Sequence, residues 1–126
     1  MAMYLDHTIV PAHDKEASAR FIARLFGLEY EGLWAHFAPV KVNDTLTLDF
    51  DNARDFEGHH YAFLVDDQQF DAVLGRVQES GIAYGSGPGS QDDMRINHHH
   101  NGRGFYFRDA NGHSWELITH TYIRPE

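Results

Sequence analysis

The sequence predicts an α+β fold built from two tandem strand–helix–three-strand units. Three observations carry this. Apolar residues switch between helical and alternating spacing in the same order twice along the chain. Each helix stops at a glycine, 20 residues after His7 in the first unit and 21 after His60 in the second. After each glycine come an apolar residue, a spacer and a tyrosine: Leu28-Glu29-Tyr30 and Ile82-Ala83-Tyr84.

The elements follow in order. Tyr4 to Val10 is a short apolar, β-branched run that reads as a strand, with Pro11 ending it. Asp14 can cap a helix in which Ala17, Phe21, Ile22, Leu25 and Phe26 form one face and Gly27 is the stop. Strands are expected at Glu29 to Gly32, Ala35 to Lys41 and Thr45 to Phe50, with a turn at Val42-Asn43-Asp44. The second unit opens with a strand at His60 to Val65. Asp66 or Asp67 caps the next helix, whose face is Phe70, Val73, Leu74 and Val77, and Gly81 ends it. Ile82 to Tyr84, Gly104 to Arg108 and Ser114 to Thr121 are the later strands, the last two joined by a turn at Asp109-Ala110-Asn111-Gly112. Asp51 to Gly58 connects the units. Gly85 to Arg103 is a long polar loop containing His98-His99-His100, and loops of that length in a small domain are usually functional or mobile.

Composition narrows the function. A chain of 126 residues suits one domain, here read as 1–126 with units at 3–51 and 59–123. Seventeen aromatic residues (nine Phe, six Tyr, two Trp) can fill its core. The net charge of −9 argues against nucleic-acid and anionic-membrane partners. No cysteine is present, which removes disulfides, thiolate metal sites and a cysteine nucleophile and fits a reducing, cytoplasmic setting. No apolar run approaches the roughly 18 residues of a membrane span. Ten histidines are many for this length and are the first chemical clue.

Each unit opens with a strand histidine, His7 or His60, and closes with a strand acid, Asp49 or Glu116. Pseudo-symmetric units would bring these onto facing sheet surfaces. An acid among apolar strand residues is costly to bury unless it is paired or bound to a cation. Imidazole and carboxylate without thiolate suit Mn, Fe, Ni, Co or Zn. The other arrangement is a hydrogen-bonded strand histidine, with the acids turned to solvent beside Thr47 and Ser114. Strand parity separates the two, and neighbours that are apolar on both sides leave it open.

Three segments together resemble the vicinal oxygen chelate superfamily, which includes glyoxalase I, methylmalonyl-CoA epimerase, extradiol dioxygenases, fosfomycin-resistance transferases and bleomycin-resistance proteins. They are Leu5-Asp6-His7-Thr8-Ile9-Val10, His60-Tyr61-Ala62-Phe63-Leu64-Val65, and the closing run from Gly102 through Asp109-Ala110-Asn111-Gly112 to Trp115-Glu116-Leu117. The resemblance implies paired βαβββ units whose mixed sheet curls around a metal cup. It implies His7, His60 and Glu116 as ligands of one divalent ion, with His60 preferred to His59. Asp49 matches a fourth ligand position that carries Glu or Gln in the glyoxalase and epimerase branches. Its shorter arm suits a base or a water-mediated contact. Tyr106 matches a pocket tyrosine of the dioxygenase and fosfomycin branches, where a phenol can hydrogen-bond a substrate oxygen. Trp34, His36 and Phe37 either line the cup or pack the core. Arg95, Asn97 and Arg103 join the three loop histidines as polar candidates.

No branch fits fully. The threonine two residues after the first histidine in fosfomycin transferases is Ile9 here, and the glyoxalase fourth ligand is Asp49. The resemblance therefore implies a metal-dependent lyase, isomerase or dioxygenase acting on a small oxygenated substrate, as a homodimer. The competing expectation is a metal-free sequestering protein of the bleomycin-resistance kind.

Overall fold

In the computed structural model, which describes residues 1–122, the elements run β1 (His7–Ala12), α1 (Lys15–Phe26), β2 (Ala38–Lys41), β3 (Thr47–Asn52), β4 (His60–Leu64), α2 (Asp67–Glu79), β5 (Tyr84–Gly85), β6 (Gly104–Arg108) and β7 (Ser114–Ile118). They divide into two units, Met1–Glu57 and Gly58–Glu126. The last residue expected in the second unit, 123, lies outside the described residues.

The helix ends obey the local signals. The Asp14 carboxylate accepts from the Ala17 N–H at 3.1 Å. Asp66, rather than Asp67, caps α2: its carboxylate accepts from the Gln69 N–H at 2.7 Å, and Gln69 accepts from the Asp66 N–H at 3.2 Å. This reciprocal box satisfies two N–H groups that the helix itself leaves unpaired. Both helices stop by the same left-handed turn. Gly27 and Gly81 have φ of 71° and 69°, and the following amides, Leu28 and Ile82, reach back to Ala23 and Val77. The echoed tyrosines repeat as well, since Tyr30 donates to Glu16 and Gln78 donates to Tyr84, each tying the chain to its own unit's helix.

In the first unit the sheet order is β1-β3-β2, with β1 parallel and β2 antiparallel to β3. Val10, Ala12, Ala38, Val40, Leu48 and Phe50 turn one face into a core with Ile22 and Leu25 of α1. In the second the order is β4-β7-β6-β5. Phe105, Phe107, Trp115 and Leu117 are buried there, and the Phe70 ring of α2 meets Phe105 edge-on at 5.2 Å. Each such side chain contributes about 1.5–3 kcal/mol by leaving water.

Several strand limits differ from the sequence reading. β1 starts at His7 and runs through Pro11, leaving Tyr4 and Leu5 exposed. Asp6 and Ala12 present their carbonyls to β3, so Pro11, of opposite parity, turns its missing N–H away from β3, on the outer strand of this sheet. Glu29 to Gly32 is irregular, with Gly32 at φ 101°. Ala35, at φ 52°, sits in a turn closed by a Trp34–Phe37 bridge, which delays β2 to Ala38. Among the described residues the first unit thus has three strands and the second four. β3 begins late because the Asn43 side chain captures the Thr45 and Leu46 amides. β7 ends at Ile118, opposite Gly104 at the start of β6. Among the described residues no helix is long and apolar enough to cross a membrane.

Candidate metal centre

In the second unit the first and last strands lie side by side. β4 pairs parallel with β7, placing His60 opposite Ser114 and Ala62 opposite Glu116, while β6 places Tyr106 opposite Glu116. With Phe105, Phe107, Trp115 and Leu117 in the core, period-2 alternation puts His60, Tyr106 and Glu116 on the other face. Glu116 therefore has the parity of Ser114, yet its carboxylate is paired and only 15% exposed. His60 Nε2 lies 2.9 Å from Glu116 Oε1. The Tyr106 ring stands 5.9 Å from that of His60. Burial, and then the Glu116 carboxylate, pushes the Tyr106 phenol up to about 12. It stays a proton donor through the neutral range.

His113, fully buried, is a residue the sequence reading passed over. Its Nδ1 accepts the His59 main-chain N–H at 2.9 Å, so its Nε2 carries the proton. The His59 ring is hydrogen-bonded to Tyr61 at 2.7 Å, which separates its role from that of His60. Asp109 accepts from the His113 amide and from the Trp115 indole, holding the closing turn against β7. A histidine directly after the turn glycine was the available signal.

In the first unit His7 pairs with Thr47 and Ile9 with Asp49, so His7 and Asp49 share the face turned away from the core. Burial raises the Asp49 carboxyl against the pull of His7. His7 is raised as well, chiefly by its hydrogen bond to Asp6, with Asp49 adding to it. Its Nδ1 lies 2.7 Å from Asp6 Oδ2. Asp6 also went unremarked in the sequence, because its effect depends on a side-chain rotamer. His36 is bonded to Asp51 at 3.2 Å and stacks on Phe37, while Trp34 is 71% exposed and packs no core.

The long loop is tied down by Arg103, which bonds Asp67 at 2.8 Å and Asp71 at 2.7 Å and lies over Phe70. That engagement makes Arg103 a structural clamp. The buried Gln91 amide donates to Pro88 O and to Ser114 Oγ. His98, His99 and His100 are exposed.

The donor chemistry fits a divalent ion. His60 Nε2 and Glu116 Oε1 are hydrogen-bonded to each other, and imidazole nitrogen with carboxylate oxygen is a donor pair that divalent first-row ions take. Among the described residues no group of three or more His, Asp or Glu side chains is gathered for a metal ion.

No protein-family model matches the chain. It is 44% identical to the solved Oxidase ChaP-H2, with 97% of each chain covered and a TM-score of 0.91. It is 27% identical over 124 residues to glutathione transferase FosA of Serratia marcescens, covering 93% of this chain and 81% of that protein. Fosfomycin resistance protein FosX from Mesorhizobium loti shares the fold at 22% identity and a TM-score of 0.70, with 97% of this chain and 96% of that one covered.

Proposed function

Since the chain belongs to the vicinal oxygen chelate superfamily, we propose that it is a metal-dependent oxidoreductase acting on a small oxygenated substrate. The oxidase reading is preferred to lyase and isomerase chemistry because identity to Oxidase ChaP-H2 is 44%, against 27% to FosA. The observation that carries the metal dependence is the His60–Glu116 pair at 2.9 Å. His60, Glu116 and, from the first unit, His7 hold the ion, which is one of Mn, Fe, Ni, Co and Zn. A bound ion of this kind supplies Lewis-acid stabilisation of charge on neighbouring substrate oxygens.

The chain's own residues do the rest. Tyr106 donates a hydrogen bond to a substrate oxygen, and burial holds its phenol protonated at neutral pH. Asp49, beside His7 and partly desolvated, takes up or returns a proton.

A homodimer is the assembly we assign to the chain. A monomer in light scattering at micromolar concentration would count against the dimer. The cysteine-free composition supports a cytoplasmic setting.

Elemental analysis of tag-free protein tests the metal reading. One divalent ion per chain, lost in Glu116→Gln, is expected. No metal in the wild type after reconstitution would overturn it in favour of a sequestering protein.

A further inference from the structure

The ring of His7 has two nitrogens, and the structure treats them differently. Nδ1 lies 2.7 Å from the Asp6 carboxylate. A carboxylate only accepts, so in the neutral ring the proton sits on Nδ1 and the Nε2 lone pair is free.

Regular strand geometry does not force this contact. Consecutive strand residues point to opposite faces, so an Asp6 side chain following β1 would point away from His7. Its main chain is anchored nonetheless, because the Asp6 carbonyl accepts the Thr47 N–H at 2.9 Å. The side chain thus bends back from a fixed backbone. Nor does fold stability account for it. The two side chains are 88% and 61% exposed, and an exposed pair of this sort adds little.

We propose that Asp6 is a positioning residue for metal binding, holding His7 in the Nδ1–H tautomer and orienting Nε2 as its ligating atom. The inference rests on the reading of His7 as a ligand. A carboxylate behind a ligating imidazole fixes both its tautomer and its ring orientation.

The test uses Co(II) alone, with wild type, Asp6→Ala, Asp6→Asn and His7→Ala. Affinity is read by competition with a chelator, and the His7 tautomer in metal-free protein is read by nitrogen NMR. Asp6→Ala is expected to weaken Co(II) binding about 10- to 100-fold and to shift His7 toward the Nε2–H tautomer. Asp6→Asn, whose amide oxygen can still accept, should recover part of both. Unfolding of metal-free Asp6→Ala should match wild type. If His7→Ala binds Co(II) like wild type, His7 is not a ligand and the inference falls with that reading. If His7→Ala weakens binding while Asp6→Ala matches wild type in affinity and tautomer, the assignment to Asp6 alone is overturned.

Discussion

His60 Nε2 and Glu116 Oε1 meet at 2.9 Å although 56 residues separate them. The contact exists because β4 and β7 of the second unit run parallel as neighbours, with His60 two residues, and so on the same face, from Ala62 opposite Glu116. A carboxylate among Trp115, Leu117 and Ile118 is thereby given a partner. Glu116→Gln keeps the side chain's shape and removes its charge. The variant should fold as wild type does, but lose the rise in melting temperature on adding Co(II) or Zn(II). For wild type the gain is about 2.7 kcal/mol at a hundredfold excess over Kd. Thermal shift with and without metal measures it.

The two helix starts differ in strength. Asp14 satisfies one amide, whereas Asp66 and Gln69 satisfy two between them. Asp14→Ala should cost about 1 kcal/mol, and Asp66→Ala should lie toward the upper end of an approximate 0.5–2 kcal/mol range. Urea unfolding of the two variants orders them.

Gly85 and Gly75 should respond oppositely to alanine. A β-carbon on Gly85 would run into the main-chain carbonyl of Ser90, so Gly85→Ala must push the loop off β5. Destabilisation beyond about 1 kcal/mol is expected, in the range seen for overpacked sites. Gly75 lies inside α2 with open space around it, and Gly75→Ala should stabilise by about 0.5–1 kcal/mol. Denaturant midpoints decide both.

Tyr61 and Tyr106 both have phenols raised to about 12, each first by burial, then by Asp109 and Glu116 respectively. The folded state therefore holds these protons more tightly than the unfolded chain, whose tyrosines titrate near 10. Their stabilising contribution is complete below pH 10 and is lost as pH rises from about 10 to 12. Wild type should lose stability across that window, and Tyr61→Phe and Tyr106→Phe should each flatten the slope. Urea midpoints at several alkaline pH values test this.

What the sequence by itself determined is what neighbouring residues settle between them. Asp14, Gly27 and Gly81 mark helix ends because caps and left-handed stops act within one turn of the chain. The alternation of Phe105 and Phe107 around Tyr106 puts the phenol on the face opposite the apolar one, whereas the side taken by Glu116, between apolar Trp115 and Leu117, was open in the sequence and was set by the ladder. The choice between Asp66 and Asp67 waited for the capping box itself, since either carboxylate suits that position by type. Only the tertiary structure decided the rest. Pro11 stays in β1 because its missing donor faces away from β3, which depends on which strand lies beside it. Glu29 to Gly32 has strand-like composition but finds no ladder. The pairing of His60 with Glu116, the engagement of His113 with the His59 amide and the bend of Asp6 toward His7 arise from register and rotamer. Capping and periodicity are local energies that a short window of sequence contains. Register and side-chain direction depend on the partner strand that the fold brings alongside.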